Sequence, residues 1–225
     1  LYAWINRRAL SSAGLSRQQV STPFGPQRYW IGGQGPTLVL LHGAGDQAGT
    51  WANVVESLVA RYRLVVPDLA GHGESDPLRG PIAIGQVLRG VEAVLQQGDR
   101  EPAIIVGNSL GAWIALLYAL AHPDRVRRLV LVNGGALKGD RPDLSLAPRS
   151  RDEAARLMTQ LRDPAAPAIQ VFILDAIVRE AQTGPLARLS QSSSDMEQYL
   201  LEGRLEEIAA PVDLLWGESD KLFPL

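Results

Sequence analysis

Short, continuous apolar runs alternate along the chain with longer segments in which apolar residues recur every three or four positions. The runs are typical of strands buried on both faces, and they span residues 37–41, 63–66, 103–106 and 129–132. The periodic segments predict helices over residues 51–59, 84–95 and 110–121. Strands and helices in alternation indicate βαβ units, which build a parallel sheet covered by helices on both faces.

The alternation stops after residue 132 and resumes only near the end of the sequence. In between, Ser150 and Ser194 each stand three positions before a glutamate, a pattern that opens helices, and residues 169–178 form an apolar helical stretch. Residues 212–216 then resume the strand pattern. We therefore predict an α/β fold with a doubly wound, mostly parallel sheet and a helical cap insertion. The expected parts are an N-terminal helix or linker at 1–26, a core at 27–136 and 211–225, and a cap at 137–210.

Composition narrows the classes of function. The 225 residues include 22 Lys and Arg against 24 Asp and Glu, a net charge of −2 that argues against binding nucleic acid through bulk charge. The lack of cysteine excludes disulfides and thiolate metal sites. The sequence opens with an aromatic and basic stretch, LYAWINRR, for which a short helix and the end of a preceding membrane anchor are both open. The localisation thus stays open between the cytoplasm and a membrane.

One serine, Ser109, lies in VGNSLGAW at the junction between a predicted strand and a predicted helix. G-x-S-x-G in this context is typical of a nucleophile elbow, a turn so tight that the flanking positions must be minimal, here Gly107 and Gly111. Such a turn holds the hydroxyl at the carboxyl ends of the strands, where these sheets bind ligands. The adjacent helix N-terminus favours developing negative charge. The pattern therefore predicts a nucleophilic serine.

A second stretch of interest, residues 42–45 (HGAG), follows the first buried strand. A glycine-rich turn there can direct a backbone N–H at a substrate oxyanion, with the N–H of Leu110 as the second donor. We interpret His42 as structural, bonded to nearby backbone, and His72 as part of a loop after the second buried strand. The residues expected around the substrate are His42, Gly43, Asn108, Trp113 and Phe172.

Four motifs in this order, LLHGAGD, PDLAGHGES, VGNSLGAW and LLWGESD, resemble those of the α/β-hydrolase fold superfamily from about residue 27 onwards. The layout is similar to that of cap-bearing serine esterases and monoacylglycerol-lipase-like enzymes. The resemblance implies that Ser109 is the nucleophile and Asp220 the acid. It also implies that Ala44 and Leu110 provide the oxyanion hole and that neither a metal nor an organic cofactor is needed.

The resemblance places the catalytic histidine after the last strand, well beyond the acid, whereas the sequence ends five residues after Asp220. The three histidines are His42, His72 and His122. The predicted helix that starts beside Ser109 is about 18 Å long, and His122 follows its far end. We expect the sequence to be a fragment of a longer enzyme, without the last strand and helix of the fold and inactive alone; a natural non-catalytic form is the alternative.

Serine at the elbow implies acyl chemistry. We expect hydrolysis of small-molecule carboxylic esters with an apolar acyl or aromatic part, because the predicted cap is rich in apolar residues. Two alternatives stay open. Asn108 gives the variant GNS, which also occurs in hydrolases that cleave C–C bonds of ring-cleavage products, and a ligand-binding relative without turnover would keep the same pocket. The oligomeric state is open as well.

Overall fold

Seven strands form one sheet in this computed structural model, which describes residues 2–98, 100–134, 136–137, 146–163, 165–167 and 169–221. The strands are β1 (Ser16–Thr22), β2 (Gly25–Gly32), β3 (Thr37–Leu41), β4 (Arg63–Pro67), β5 (Ala103–Asn108), β6 (Val126–Val132) and β7 (Val212–Leu215). Their order across the sheet is β1-β2-β4-β3-β5-β6-β7. The pairs from β4 to β7 are parallel, and the hairpin of β1 and β2 joins antiparallel at one edge. The predicted fold class is confirmed.

Eight α-helices accompany the sheet within the described ranges. They are α1 (Tyr2–Ser12), α2 (Ala52–Val59), α3 (Ile84–Leu95), α4 (Leu110–Ala121), α5 (Arg151–Leu161), α6 (Val171–Thr183), α7 (Pro185–Ser190) and α8 (Ser193–Met196). Short 3₁₀ turns lie at Ala48–Trp51, Pro123–Arg125, Glu197–Tyr199 and Leu205–Glu207. Within the described residues, no helix is both long enough and apolar enough to cross a bilayer.

The core lies on both faces of the sheet, as the continuous apolar runs predict. Successive side chains of a strand point to opposite faces. In β3, Val39 and Leu41 therefore join the core formed with α3 and α4, whereas Leu38 and Leu40 join the core formed with α1 and α2. Helix α4 is buried along most of its length because it runs through the centre of the first of these layers. This central position fixes where its N-terminus emerges.

Two local features differ from the prediction. Residues 16–22 form β1 instead of a linker; its polar, mostly exposed side chains give no alternation, and backbone pairing with β2 holds it in place. The helix expected from residue 51 begins at Ala52 after a 3₁₀ turn.

The predicted cap contributes α5 to α8, and Ser150 opens α5 by accepting a hydrogen bond from the Glu153 backbone at 3.2 Å. Residues 138–145 of the cap, the side chain of Ser194 and residues 222–225 of the core lie outside the described part. The domain boundaries stay predictions.

Candidate active site

Ser109 occupies the sharp turn between the end of β5 and the start of α4. Its backbone has φ 51° and ψ −113°, in a region that L-residues rarely adopt and that costs of the order of 1–3 kcal/mol. The turn closes because the Ser109 N–H donates to the Val132 carbonyl at 3.0 Å. A Cβ atom at Gly107 or Gly111 would collide with backbone atoms, of α4 in the first case and of Leu41 in the second. Both glycines are therefore required by close approach, as the motif predicts.

The loop after β3 lies directly against this turn. A Cβ atom added at Gly43 would lie 3.4 Å from the Ser109 Cβ atom and 2.9 Å from the Asn108 Oδ1 atom. The next residue, Ala44, faces the same cavity as Ser109. The Leu110 N–H belongs to the first turn of α4, whose amides have no partner within the helix. The two residues predicted to supply the oxyanion donors thus lie beside the serine turn, Ala44 across the cavity lining and Leu110 next in the chain.

His42 orients the first of these donors. Its ring is fully buried, with Nδ1 2.8 Å from the Gly43 carbonyl oxygen and Nε2 accepting from the Leu69 N–H at 2.9 Å. These partners fix a neutral ring protonated at Nδ1, and burial lowers the pKa of His42 accordingly. Because the C=O and N–H of a trans peptide point in opposite directions, the Ala44 N–H faces away from the ring. The structural interpretation of His42 is confirmed, and His42 does not line the cavity with Ser109 as the pocket prediction required.

Asp220 is held by a residue that the sequence analysis did not identify. Asn133, at the end of β6, donates from Nδ2 to the Asp220 Oδ2 atom and accepts at Oδ1 from the Gly217 N–H at 3.3 Å. Asn133 also has a left-handed backbone, with φ 43°, and its N–H donates to Leu215 at 3.1 Å. A polar residue directly after a buried parallel strand is the signal that would have identified Asn133.

A cavity of about 730 Å³ joins these groups. On the core side, the predicted residues Gly43, Ala44, Asn108, Ser109 and Asp220 line it, together with Asn133. On the cap side, the wall includes Arg162, Asp163 and four leucines that the sequence analysis did not single out, namely Leu146, Leu157, Leu161 and Leu186. Such a concave site, with an apolar wall and a few convergent polar groups, is typical of small-molecule binding.

Two predicted pocket residues lie elsewhere, and this corrects the sequence-based interpretation. Trp113 is buried in the core under α4, only 6% exposed, and its indole N–H donates to the Tyr199 carbonyl at 2.8 Å. Phe172 is 67% exposed in the first turn of α6, outside the residues that line the cavity. Trp113 faces the core because every face of α4 is covered, whereas the start of α6 points outward.

None of the three histidines lines the cavity described here. His72 is buried beside His42, with ring centroids 5.3 Å apart, and burial lowers the pKa of His72 to about 3. His122 follows the opposite end of α4 from Ser109 and binds Glu92 at 2.8 Å. The described part of the chain therefore places no imidazole beside the serine. It also contains no group of three His, Cys, Asp or Glu side chains that could hold a metal ion.

Known proteins resemble both the sequence and the fold. A 2-hydroxy-6-oxononadienedioate/2-hydroxy-6-oxononatrienedioate hydrolase of Cupriavidus pinatubonensis is 34% identical, over 98% of this chain and 84% of that protein. An uncharacterized protein of Mycobacterium tuberculosis is 29% identical, over 98% of this chain and 72% of that protein. Among solved structures, a membrane phospholipase A described as a bacterial virulence factor superposes with a TM-score of 0.80 at 26% identity, over 100% of this chain and 76% of that one.

The family model for the alpha/beta hydrolase fold matches residues 36–171, which is more than half of the sequence. Its range includes the HGAG loop and the elbow at Ser109. The chain therefore belongs to the α/β hydrolase fold family.

Proposed function

We propose that this protein is a serine hydrolase that cleaves carboxylic esters with an apolar acyl or aromatic part through an acyl-enzyme. The observation that carries the proposal is the strained backbone of Ser109 at the floor of a leucine-walled cavity. Strain of this kind persists where the surrounding structure enforces it, and it typically marks functional sites. The likeness to a membrane phospholipase A supports ester chemistry.

In the proposed reaction, the Ser109 hydroxyl attacks the ester carbonyl and its proton passes to a base. The carbonyl oxygen takes up negative charge, which the N–H groups of Ala44 and Leu110 stabilise. Collapse of the tetrahedral intermediate breaks the C–O bond, and the alcohol leaves with the proton. A water molecule then attacks the acyl-enzyme by the same route and releases the acid. Asp220 orients the protonated base, and Asn133 holds Asp220.

The base is the component that the three histidines do not supply, and this makes the proposal testable by chemical rescue. Imidazole added to the 225-residue chain is expected to raise hydrolysis of p-nitrophenyl butyrate about tenfold or more above the Ser109→Ala variant under identical conditions. The variant is the matched control because imidazole alone also cleaves activated esters. Equal rates for the two proteins at every imidazole concentration would refute a nucleophilic role for Ser109.

A version extended past Leu225 to include a histidine is expected to react without added imidazole. A fluorophosphonate probe, which labels only an activated serine, distinguishes such an enzyme from a ligand-binding relative without turnover. Labelling at Ser109 on the extended chain supports the hydrolase, whereas an unlabelled serine supports the binding protein.

A second candidate function is hydrolysis of a C–C bond in a ring-cleavage product. It is favoured by the identity with the Cupriavidus pinatubonensis hydrolase across nearly the whole chain and by Asn108 within the elbow. Comparing 2-hydroxy-6-oxo-dienedioates with neutral esters as substrates of the extended chain separates the two chemistries. Faster turnover of the dioate would replace the ester proposal.

A membrane association remains a proposal that rests on the aromatic and basic N-terminal stretch and on the similar membrane phospholipase A. Binding of the chain to phospholipid vesicles tests it.

A further inference from the structure

The tip of the HGAG loop, residues 42–45, has little packing of its own. Its chain reverses in a turn in which the Asp46 N–H donates to the Gly43 carbonyl at 3.3 Å. Gly45 within this turn is exposed and has φ 78°, and a Cβ atom added there would meet none of the described residues within 4 Å. Ala44, the predicted oxyanion donor, lies in the same turn. Its position therefore depends on how the two ends of the loop are held.

The second end of the loop is held from the inside by a buried carboxylate. Asp68 is 5% exposed, and its Oδ1 atom accepts from the Ala48 N–H at 2.7 Å. The Oδ2 atom of the same side chain accepts from the Glu74 N–H at 3.0 Å. Asp68 thus ties the segment that follows the HGAG loop to the loop that follows β4.

Arg7 of α1 bridges the same two segments from the outside. Its Nε and Nη2 atoms donate to the Gln47 Oε1 atom at 3.1 and 2.9 Å, and its Nη1 atom donates to the Glu74 Oε1 atom at 2.5 Å. A guanidinium can make these contacts together because its planar fork donates along two edges. Since Gln47 directly precedes Ala48, Arg7 and Asp68 hold neighbouring points of the chain from opposite sides.

Helix α1 has an anchor that does not involve Arg7. Leu10 is fully buried and belongs to the core layer that contains Ala48 and Val55. A Cβ atom added at Gly49 would lie 2.8 Å from the Cβ atom of Asn6, so α1 lies directly against the 3₁₀ turn after the HGAG loop. The guanidinium therefore extends from a fixed base, and its loss should leave α1 in place.

We infer that Arg7 is a positioning residue, through which α1 braces the HGAG loop and holds the Ala44 N–H at the cavity. The inference rests on the proposed function and adds to it a residue outside the range 36–171 that the family model matches. An oxyanion donor acts more on the transition state than on the bound ester. Loss of the brace should therefore lower kcat and leave KM nearly unchanged.

Amide hydrogen exchange of the 225-residue chain tests the brace without turnover. Arg7→Met is expected to speed exchange of the Asp46 N–H about fivefold or more, while Val106 in β5 keeps its rate, because the opening is local. Arg17→Met is the matched control, since Arg17 reaches Glu74 from β1. It removes an arginine from the same carboxylate, and both rates should stay unchanged.

A double-variant cycle assigns the effect to the contact with Gln47. Gln47→Met is expected to speed exchange of the Asp46 N–H as much as Arg7→Met does, and the combined variant should exchange no faster than either one. Additive effects of the two substitutions would overturn the inference. Equal acceleration in Arg17→Met, or an Asp46 rate that Arg7→Met leaves unchanged, would overturn it as well.

The kinetic test uses p-nitrophenyl butyrate with added imidazole. Arg7→Met is expected to lower kcat about tenfold and to change KM by less than about twofold. Arg7→Lys keeps the charge without the fork, so its kcat should stay closer to that of Arg7→Met than to that of the unchanged chain. An unchanged kcat in Arg7→Met, or full recovery of kcat in Arg7→Lys, would overturn the brace.

The two readouts separate this inference from the proposed function. Faster exchange at Asp46 in Arg7→Met, on a chain whose Ser109 never reacts, would retain the brace and reject the chemistry. Conversely, a reactive Ser109 together with unchanged exchange and unchanged kcat in Arg7→Met would retain the chemistry and reject the brace.

Discussion

The two walls of the cavity are built in different ways. The core wall consists of tight turns. Ser109 has a strained backbone, Gly43 packs against it, and the buried His42 contacts the Gly43 carbonyl. The cap wall consists of side chains from α5, α7 and the segments that flank α5, and one of them, Leu161, is 44% exposed. The serine turn and the apolar wall that faces it thus come from separate regions of the chain, and the tight backbone contacts lie on the serine side.

The largest expected effect comes from removing the hydrogen bonds by which Arg188 joins the cap to the core. Arg188 on α7 is 9% exposed, and its guanidinium donates to the carbonyls of Gly71, Pro77 and Gly80 in the core. Arg188→Met leaves these acceptors without a donor, and we expect a loss of about 3 kcal/mol in the free energy of unfolding. Urea unfolding measures the loss.

Two further variants make this test specific. Arg188→Lys keeps the charge but lacks the planar fork, so an intermediate loss is expected. Arg179→Met removes an exposed arginine from α6 and should change stability by less than about 0.5 kcal/mol. If Arg188→Met lowers the free energy of unfolding no more than Arg179→Met does, the hydrogen bonds of Arg188 do not hold the cap to the core.

A smaller effect is expected from acid, which acts on the buried His72 beside His42. Burial, the neighbouring His42 ring and the Arg188 guanidinium together lower the pKa of His72 from 6.5 to about 3, against the opposing effect of its hydrogen bond to Ala70. The unfolded chain therefore binds a proton below about pH 6.5 that the folded chain refuses until about pH 3. Above about pH 6.5, His72 is neutral in both states and does not lower the free energy of unfolding. Below that pH, the free energy of unfolding falls by about 1.4 kcal/mol per pH unit, a loss of about 2 kcal/mol at pH 5.

Unfolding experiments between pH 7 and pH 5 with His72→Asn isolate this contribution. The asparagine keeps a donor for the Ala70 carbonyl, which His72 contacts at 3.1 Å through Nδ1. The variant should show a shallower acid slope, whatever its stability at pH 7. An unchanged slope would mean that His72 is not the buried group that acid titrates.

The smallest effect is expected from releasing the strain at the serine. Ser109→Gly allows the positive φ without a Cβ penalty, and we expect a gain of about 1 kcal/mol in the free energy of unfolding. Ser109→Ala is the matched control, because alanine also lacks the hydroxyl but needs the same strained backbone. If both variants raise the free energy of unfolding equally, the gain comes from loss of the hydroxyl. The backbone at position 109 would then be less strained than its φ angle indicates.

The parts of this molecule that the sequence predicts are those whose cause is local. Runs such as residues 37–41 indicate buried strands because both of their faces are covered, and the elbow is recognisable because glycines must flank Ser109. By contrast, β1 is polar and exposed, so no periodicity marks it. Its position follows from pairing with β2.

Other features depend on contacts between distant residues, which a linear pattern does not contain. Asn133 meets Asp220 across 87 positions, and neither residue indicates the other in the sequence. The prediction that Trp113 lines the pocket is wrong because α4 is apolar on nearly every face. The sequence of α4 therefore does not tell which of its sides faces the cavity. The roles of Ser109, Asp220, Ala44 and Leu110 stay predictions, although the structure brings these residues to one end of the sheet.

The edge strand β7 carries the loop that holds Asp220, and its exposure affects how firmly that loop is anchored. All four of its residues are exposed, with Leu214 65% and Leu215 61% accessible to solvent, yet the loop it carries presents Asp220 to the cavity. Within these 225 residues, a segment that buries so little can open locally at lower cost than the central strands. Amide hydrogen exchange in β7 of this 225-residue chain should then run ahead of that in β5.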